Sequence, residues 1–246
     1  MTKLLSAHQP VYLPWLGFFH KLYVSDLFVI FDDVPYSKKM WYNRNFINGV
    51  NNKILLSVPV KFHSSEQTKH KDILIDNSKD WQTDHWKSIY ASYSNYPYFN
   101  KYEIELKKFY QKKWTKLIDL NTELLFKFLE WLNIKKKVVK ASDYNLTKQK
   151  SDLIIEMSET LKFENYLFGE LGKNYCNINK FKESKINPFF QKYNHPKYEV
   201  SKKNKFYENL CILDLIFFYG EKSLNIILKD NLSKEEILEN NYEKKK

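Results

Sequence analysis

Between His8 and Asn45 the chain concentrates residues able to do chemistry. His8 follows a short apolar run and precedes Gln9-Pro10. A neutral imidazole there can accept a proton or hold a polar ligand. It can also simply tie a tight loop through backbone hydrogen bonds. Asp32-Asp33 closes a second apolar run. Paired carboxylates can hold a cation, a hydroxyl or an amine, and their mutual repulsion can split acid and base roles between them. A single aspartate at that place would be enough to cap a turn. Trp41-Tyr42 then offers two aromatic faces, and Asn43-Arg44-Asn45 offers planar amide and guanidinium groups suited to carboxylate, phosphate or a uracil-like edge. The bland alternative for this stretch is a basic, aromatic surface loop.

Composition sharpens one of these residues. The 246-residue chain carries a formal charge of +11, yet Arg44 is its only arginine. Lysine spread along the whole chain, with few glycines, reflects codon bias more than a nucleic-acid partner, whose binding surface would be a localised basic patch. Lysine cannot replace arginine where a flat, bidentate donor is required, so an arginine that persists in this background is a candidate for such a role. At 43% hydrophobic and 17% aromatic the chain can bury a large core. It has no apolar run of the roughly 18–20 residues that would span a bilayer, and no apolar leader follows Met1. A cytoplasmic protein is expected. Cys176 and Cys211 are too few for a disulfide framework or a zinc cluster and read as small buried hydrophobes. No phosphate-binding glycine loop, serine elbow or metal-ligand motif is present. His63, His70 and His85 lack ligand spacing and read as surface residues; His20 and His195 read as structural.

The elements that would position these groups follow from periodicity. Residues 3–7 suit a first strand, and the two prolines Pro10 and Pro14 forbid regular helix after it. Leu16 to Val24 has a helical apolar face, broken at Ser25-Asp26. Leu27 to Phe31 reads as a buried strand. The result is a βαβ unit with His8 and Asp32-Asp33 at its carboxyl edge, where such units place ligands. Further strands are expected at 54–60, 71–75, 138–139 and 166–168. Helices are expected at 81–93, 114–132, 152–161 and 206–219, the last closed by Gly220, and Ser233 with Glu236 forms a capping box for a final helix. The fold class is α/β: a Rossmann-like core with a small, mainly parallel sheet in the N-terminal half and a largely helical C-terminal half. One domain over 1–246 is expected, with an α/β part at 1–100, a mainly helical part at 101–240 and a frayed tail at 241–246. Lys61, ending a strand, and Lys150, opening a helix, are weaker candidates for anion binding.

The motifs resemble those of the WbqC-like protein family. The shared features are His8-Gln9-Pro10, the loop Tyr12-Leu13-Pro14-Trp15-Leu16-Gly17, the strand ending in Asp32-Asp33, and the cluster Tyr36 to Asn45. They continue through Val58-Pro59-Val60-Lys61, Ala141-Ser142, the helix start at Lys150, His195-Pro196 with Tyr198, and 213–217 before Gly220. The chain departs from the family at Phe168-Gly169-Glu170, where a serine-glycine pair is commoner. The resemblance implies His8, Asp32 and Asp33 as catalytic residues. It implies ligand contacts from Gln9, Tyr12, Trp15, Tyr36, Lys39, Trp41, Asn43, Arg44, Asn45, Lys61 and Lys150, with no metal. It further implies a transferase of surface-polysaccharide (O-antigen) synthesis that forms an amide on a nucleotide-linked amino sugar. The donor would be an acyl or aminoacyl group, glycine carried on a charged transfer RNA being one form. Two other readings stay open: nucleotidyl or adenylyl activation of a small carboxylate, and a non-catalytic module binding sugar nucleotides.

Overall fold

A computed structural model describes residues 2–38, 40–49, 51–62, 67–200 and 205–239. The expected βαβ unit is formed by β1 (Leu5–His8), α1 (Leu16–Val24) and β2 (Leu27–Ile30). Its strands are parallel and in register, with Leu5 opposite Leu27 and His8 opposite Ile30. Each β2 residue is buried, because helices cover both faces of the strand. Phe28 and Ile30 join the main apolar core, and Leu27 and Val29 join a second one on the opposite face.

After β2 the chain makes a long excursion before it returns to the sheet. The hairpin of β3 (Arg44–Asn48) and β4 (Lys53–Ser57) comes first, then the short pair β5 (Val60–Lys61) and β6 (Leu74–Ile75). Three helices follow, α2 (Trp81–Tyr93), α3 (Phe99–Gln111) and α4 (Leu117–Trp131), which add Trp81, Leu106, Leu124 and Phe128 to the main core. β7 (Lys137–Lys140) then pairs with β2, α5 (Lys150–Leu161) crosses the second core, and β8 (Asn165–Phe168) pairs with the other side of β1. α6 (Ile178–Glu183) leads to β9 (Asn187–Phe190), the last strand. The chain closes with α7 (Ile212–Tyr219), α8 (Ser223–Leu228) and α9 (Lys234–Glu239).

The five-stranded sheet has the order β7-β2-β1-β8-β9, and every pairing in it is parallel. In chain order this is 3-2-1-4-5, the doubly wound arrangement, whose order reverses between β1 and β8. The α/β class holds. The expected split into halves does not: β7, β8 and β9 all come from the second half of the chain. The strands expected at 54–60 and 71–75 instead form separate hairpins outside the sheet.

Helix boundaries follow capping chemistry. In α9 the Ser233–Glu236 box is closed, with the Glu236 N–H donating to Ser233 Oγ at 3.2 Å and the Ser233 N–H to Glu236 Oε2 at 2.7 Å. Gly220 ends α7 at φ 55°, a backbone state that favours glycine, and a Cβ there would come within 2.6 Å of Tyr98. The helix expected over 206–219 starts only at Ile212. Cys211 is extended, bridged to Trp15, and its N–H bonds the Phe46 carbonyl. The tail at 241–246 lies outside the described residues.

Candidate functional site

In open α/β sheets the crevice for a ligand lies at the carboxyl ends of the strands where their order reverses. Here those ends are His8 on β1 and Phe168-Gly169 on β8. The loop from His8 to Trp15 forms one lip and is clamped on both sides. The Tyr12 N–H donates to the Tyr42 carbonyl and the Ile212 N–H to the Pro14 carbonyl. The Asn45 amide donates to the Leu13 carbonyl at 2.6 Å.

His8 is half-buried, its ring edge-on to Trp15 and Phe18 at centroid distances of 5.4 and 5.3 Å. Its Nδ1 is 2.8 Å from the Gln9 carbonyl oxygen, which only accepts, so Nδ1 carries the proton. Nε2 therefore presents a lone pair. Burial, together with the charge of Lys21, pulls the imidazole down to about 3, against the bond to Gln9. His8 is thus neutral across the physiological range. Lys21 lies behind it on α1, buried, with Nζ donating to the Ala7 carbonyl at 2.8 Å; burial pulls its pKa down to about 7.

His70 joins Tyr36 and Tyr42, two aromatic residues of the expected cluster, in one buried group. His70, expected on the surface, is 1% exposed, and its ring lies 5.3 Å from Tyr36 and 4.4 Å from Tyr42. Neither ring nitrogen has a hydrogen-bond partner among the described residues, and burial lowers its pKa to about 4. Its charge would be felt at His8. Burial raises the Tyr36 phenol to about 12 against the opposing charge of Arg44, whose field reaches it. Arg44 opens β3, is half-buried, and its Nε is buried without a partner. No ion pair to Arg44 exists among the described residues. Its chemistry is left for something else to satisfy.

Several expected contacts serve the framework instead. Tyr12 is fully buried, and its hydroxyl bonds His85 Nδ1 at 2.8 Å and the Tyr110 hydroxyl at 2.7 Å, so it lies in the core and cannot line the crevice. His85, expected on the surface, is buried with it. The Asn43 amide donates to the Val58 carbonyl at 2.7 Å. The Asn45 amide oxygen accepts the Phe46 N–H while its nitrogen holds Leu13. Both asparagines are buried and their amides fix β3; Asn45 also lines the cavity beside Trp15, and the Asn43 amide oxygen has no hydrogen-bond partner among the described residues. The two aspartates do not work as a pair. Asp32 is buried, with Oδ1 accepting the Ser142 N–H at 2.9 Å and Oδ2 the Ser142 hydroxyl at 2.6 Å. Asp33 turns to Lys69 at 2.8 Å and to Lys71; partial burial opposes ionisation, but the two lysines outweigh it and hold the carboxyl below its ordinary range. Lys61 is exposed on β5, where its charge acts on Asp76, and Lys150 is exposed at the start of α5. Neither contacts the His8 group. Lys39 and His63 lie outside the described residues. His20 and His195 are structural: His20 bonds Gln191 and the Leu232 carbonyl, and His195 bonds the Pro196 carbonyl and the Asn209 N–H.

Trp15 joins the His8 lip to a cavity of about 380 Å³, walled by Trp15, Trp41 and Phe46 with Lys53 and Glu208 at its rim. A groove of similar size, about 400 Å³, runs between α3 and α4. Two of its lysines are paired, Lys112 with Glu123 and Lys127 with Glu105, and Lys108 also lines it.

The model of the WbqC-like protein family matches residues 9–226. The chain belongs to this family. An uncharacterised protein of Mycobacterium tuberculosis, Rv1507c, is similar to this family member at 28% identity over 222 residues, covering 90% of this chain and 96% of the relative. No solved structure matches. The matched span holds Gln9, Arg44 and four of the five sheet strands, β1 immediately preceding it. Among the described residues no helix is long and apolar enough to cross a membrane, and no cluster of three or more metal-ligating side chains occurs.

Proposed function

We propose that this WbqC-like protein is a cytoplasmic transferase that acylates the amine of a nucleotide-linked amino sugar during surface-polysaccharide synthesis. The observation that carries the reading is the neutral His8, its Nδ1–H tied to Gln9 and its Nε2 bare, at the switch point of a doubly wound sheet. Amide formation needs a group that takes a proton from nitrogen as the nitrogen attacks. The amine nitrogen bonds to the acyl carbon, and the bond from that carbon to its oxygen or sulfur leaving group breaks. The nitrogen's proton passes to His8 Nε2 and from there to the leaving atom. The nitrogen becomes cationic and more acidic as its bond to the acyl carbon forms, which favours the transfer. Arg44, with its unpartnered Nε, would hold a phosphate of the sugar nucleotide or a donor carboxylate. Trp15, edge-on to His8, would pack against the sugar ring.

The test is incubation with amino-sugar nucleotides and a panel of acyl donors that includes charged transfer RNA, read by mass spectrometry. An added acyl mass that His8→Ala abolishes supports the reading. Absence of an adduct with every donor removes it.

A further inference from the structure

We propose that the cavity beside Trp15 is a binding site for the pyranose ring of a hexosamine, held between aromatic walls and a pair of charged groups of opposite sign. The inference takes from the sugar-modifying reading only its choice of a hexosamine; the geometry is independent of any reaction. The cavity's volume, about 380 Å³, falls in the range of roughly 300–1,000 Å³ typical of small-ligand sites. Trp41 is 45% exposed, and its ring leans on Phe46 at 5.6 Å. An indole left this open at a cavity mouth costs free energy until an apolar surface covers it. The C–H face of a pyranose is such a surface, and Trp15 provides the second wall.

The polar rim suits the hydroxyls of a sugar. Of the two amides that line the cavity, Asn45 is already bonded to Leu13 and Phe46. What remains is Lys53, a donor, Glu208, an acceptor, and the Asn209 amide, which can do both. Lys53 Nζ sits over the Phe46 ring at 4.8 Å and the Tyr207 ring at 5.6 Å, which biases the exposed side chain towards the cavity. Glu208 is exposed and forms no ion pair among the described residues. Neighbouring sugar hydroxyls both donate and accept, and a donor and an acceptor at one rim match that chemistry. Trp15 lines the cavity and packs edge-on against His8, so a ring seated here is one indole away from the proposed base.

The experiment is saturation-transfer NMR on the intact protein with glucosamine, galactosamine and uridine as separate probes, repeated on Trp41→Ala and Glu208→Gln. Both changed residues are exposed, and circular dichroism confirms that each variant is folded. Transfer from the protein to the ring protons of a hexosamine is expected. Affinity should fall at least five-fold in Trp41→Ala and should also fall in Glu208→Gln. Absence of transfer to either sugar, or hexosamine binding unchanged by both substitutions, overturns the proposal. So does uridine occupying the site in a Trp41-dependent way. Sugar binding without any acyl transfer would remove the proposed reaction and leave the pocket. Acyl transfer indifferent to both substitutions would remove the pocket and leave the reaction.

Discussion

His8 and Lys21 show how one buried neighbour sets the state of another. The lysine has no carboxylate partner; a single backbone carbonyl accepts from it. Its charge adds to burial in keeping the His8 proton off. Lys21→Met removes that charge and keeps most of the apolar stem. The His8 imidazole should then titrate above its present value of about 3, as read by its ring resonances in an NMR pH series. A His8 pKa that stays in place would show that burial alone sets it. Arg44 stands at the same scale: its planar donors, whose charge reaches Tyr36, are what a lysine cannot reproduce.

At the scale of elements, the crevice depends on ties between chain segments distant in sequence. Asp32, just past β2, grips Ser142, just past β7, through both carboxylate oxygens. Hydrogen bonds to a charged group contribute about 1.5–3 kcal/mol. Asp32→Ala should therefore lower stability by about 2 kcal/mol and Ser142→Ala by about 1, measured as shifts in the urea midpoint at constant slope. Because the two residues share one interaction, the double variant should cost less than the sum. A fully additive pair would mean that the tie contributes nothing. Asp33 acts similarly on the next segment, where Lys69 and Lys71 flank His70 and set it against Tyr36 and Tyr42.

Across the whole molecule, two buried groups make stability depend on pH in opposite ways. Asp214 on α7 accepts from the Tyr198 and Tyr96 hydroxyls, yet burial still raises its pKa from 3.8 to about 6. Between those values the folded state keeps a proton that the unfolded chain has lost, so the contribution of Asp214 falls as pH rises from 4 to 6, against the rising contribution of His8, His70 and His85, which burial keeps neutral in the folded state. Lys21 titrates near 7 when folded and 10.5 otherwise, so the unfolded chain binds more protons between them and stability rises with pH from 7 to 10. At about 1.4 kcal/mol per pH unit the Lys21 limb reaches at most roughly 4 kcal/mol. Urea unfolding across pH 4–10 separates the two by difference. Asp214→Asn should make stability rise more steeply between pH 4 and 6, and Lys21→Met should flatten the rise between pH 7 and 10; a profile unchanged by its substitution would mean that the group does not contribute.

The parts legible in sequence were those written in local pattern. The β1–α1–β2 unit, the buried run of β2, α4, the α9 capping box and the stop at Gly220 all follow from periodicity and backbone chemistry within a few residues. The placing of His8 at a carboxyl edge and the singling out of Arg44 needed only neighbours and composition. Tertiary structure alone decided the rest. It brought β7, β8 and β9 from the far half of the chain to one sheet and so created the switch point beside His8. It buried His70 and Lys21, whose residue types suggest surface. It also turned Tyr12, Asn43 and Asn45 inward as framework and gave Asp32 and Asp33 separate partners. The physical reason is that an exposed-looking polar residue acquires its function from which donors and acceptors fold against it. Those partners lie tens to hundreds of residues away, beyond the reach of any local pattern.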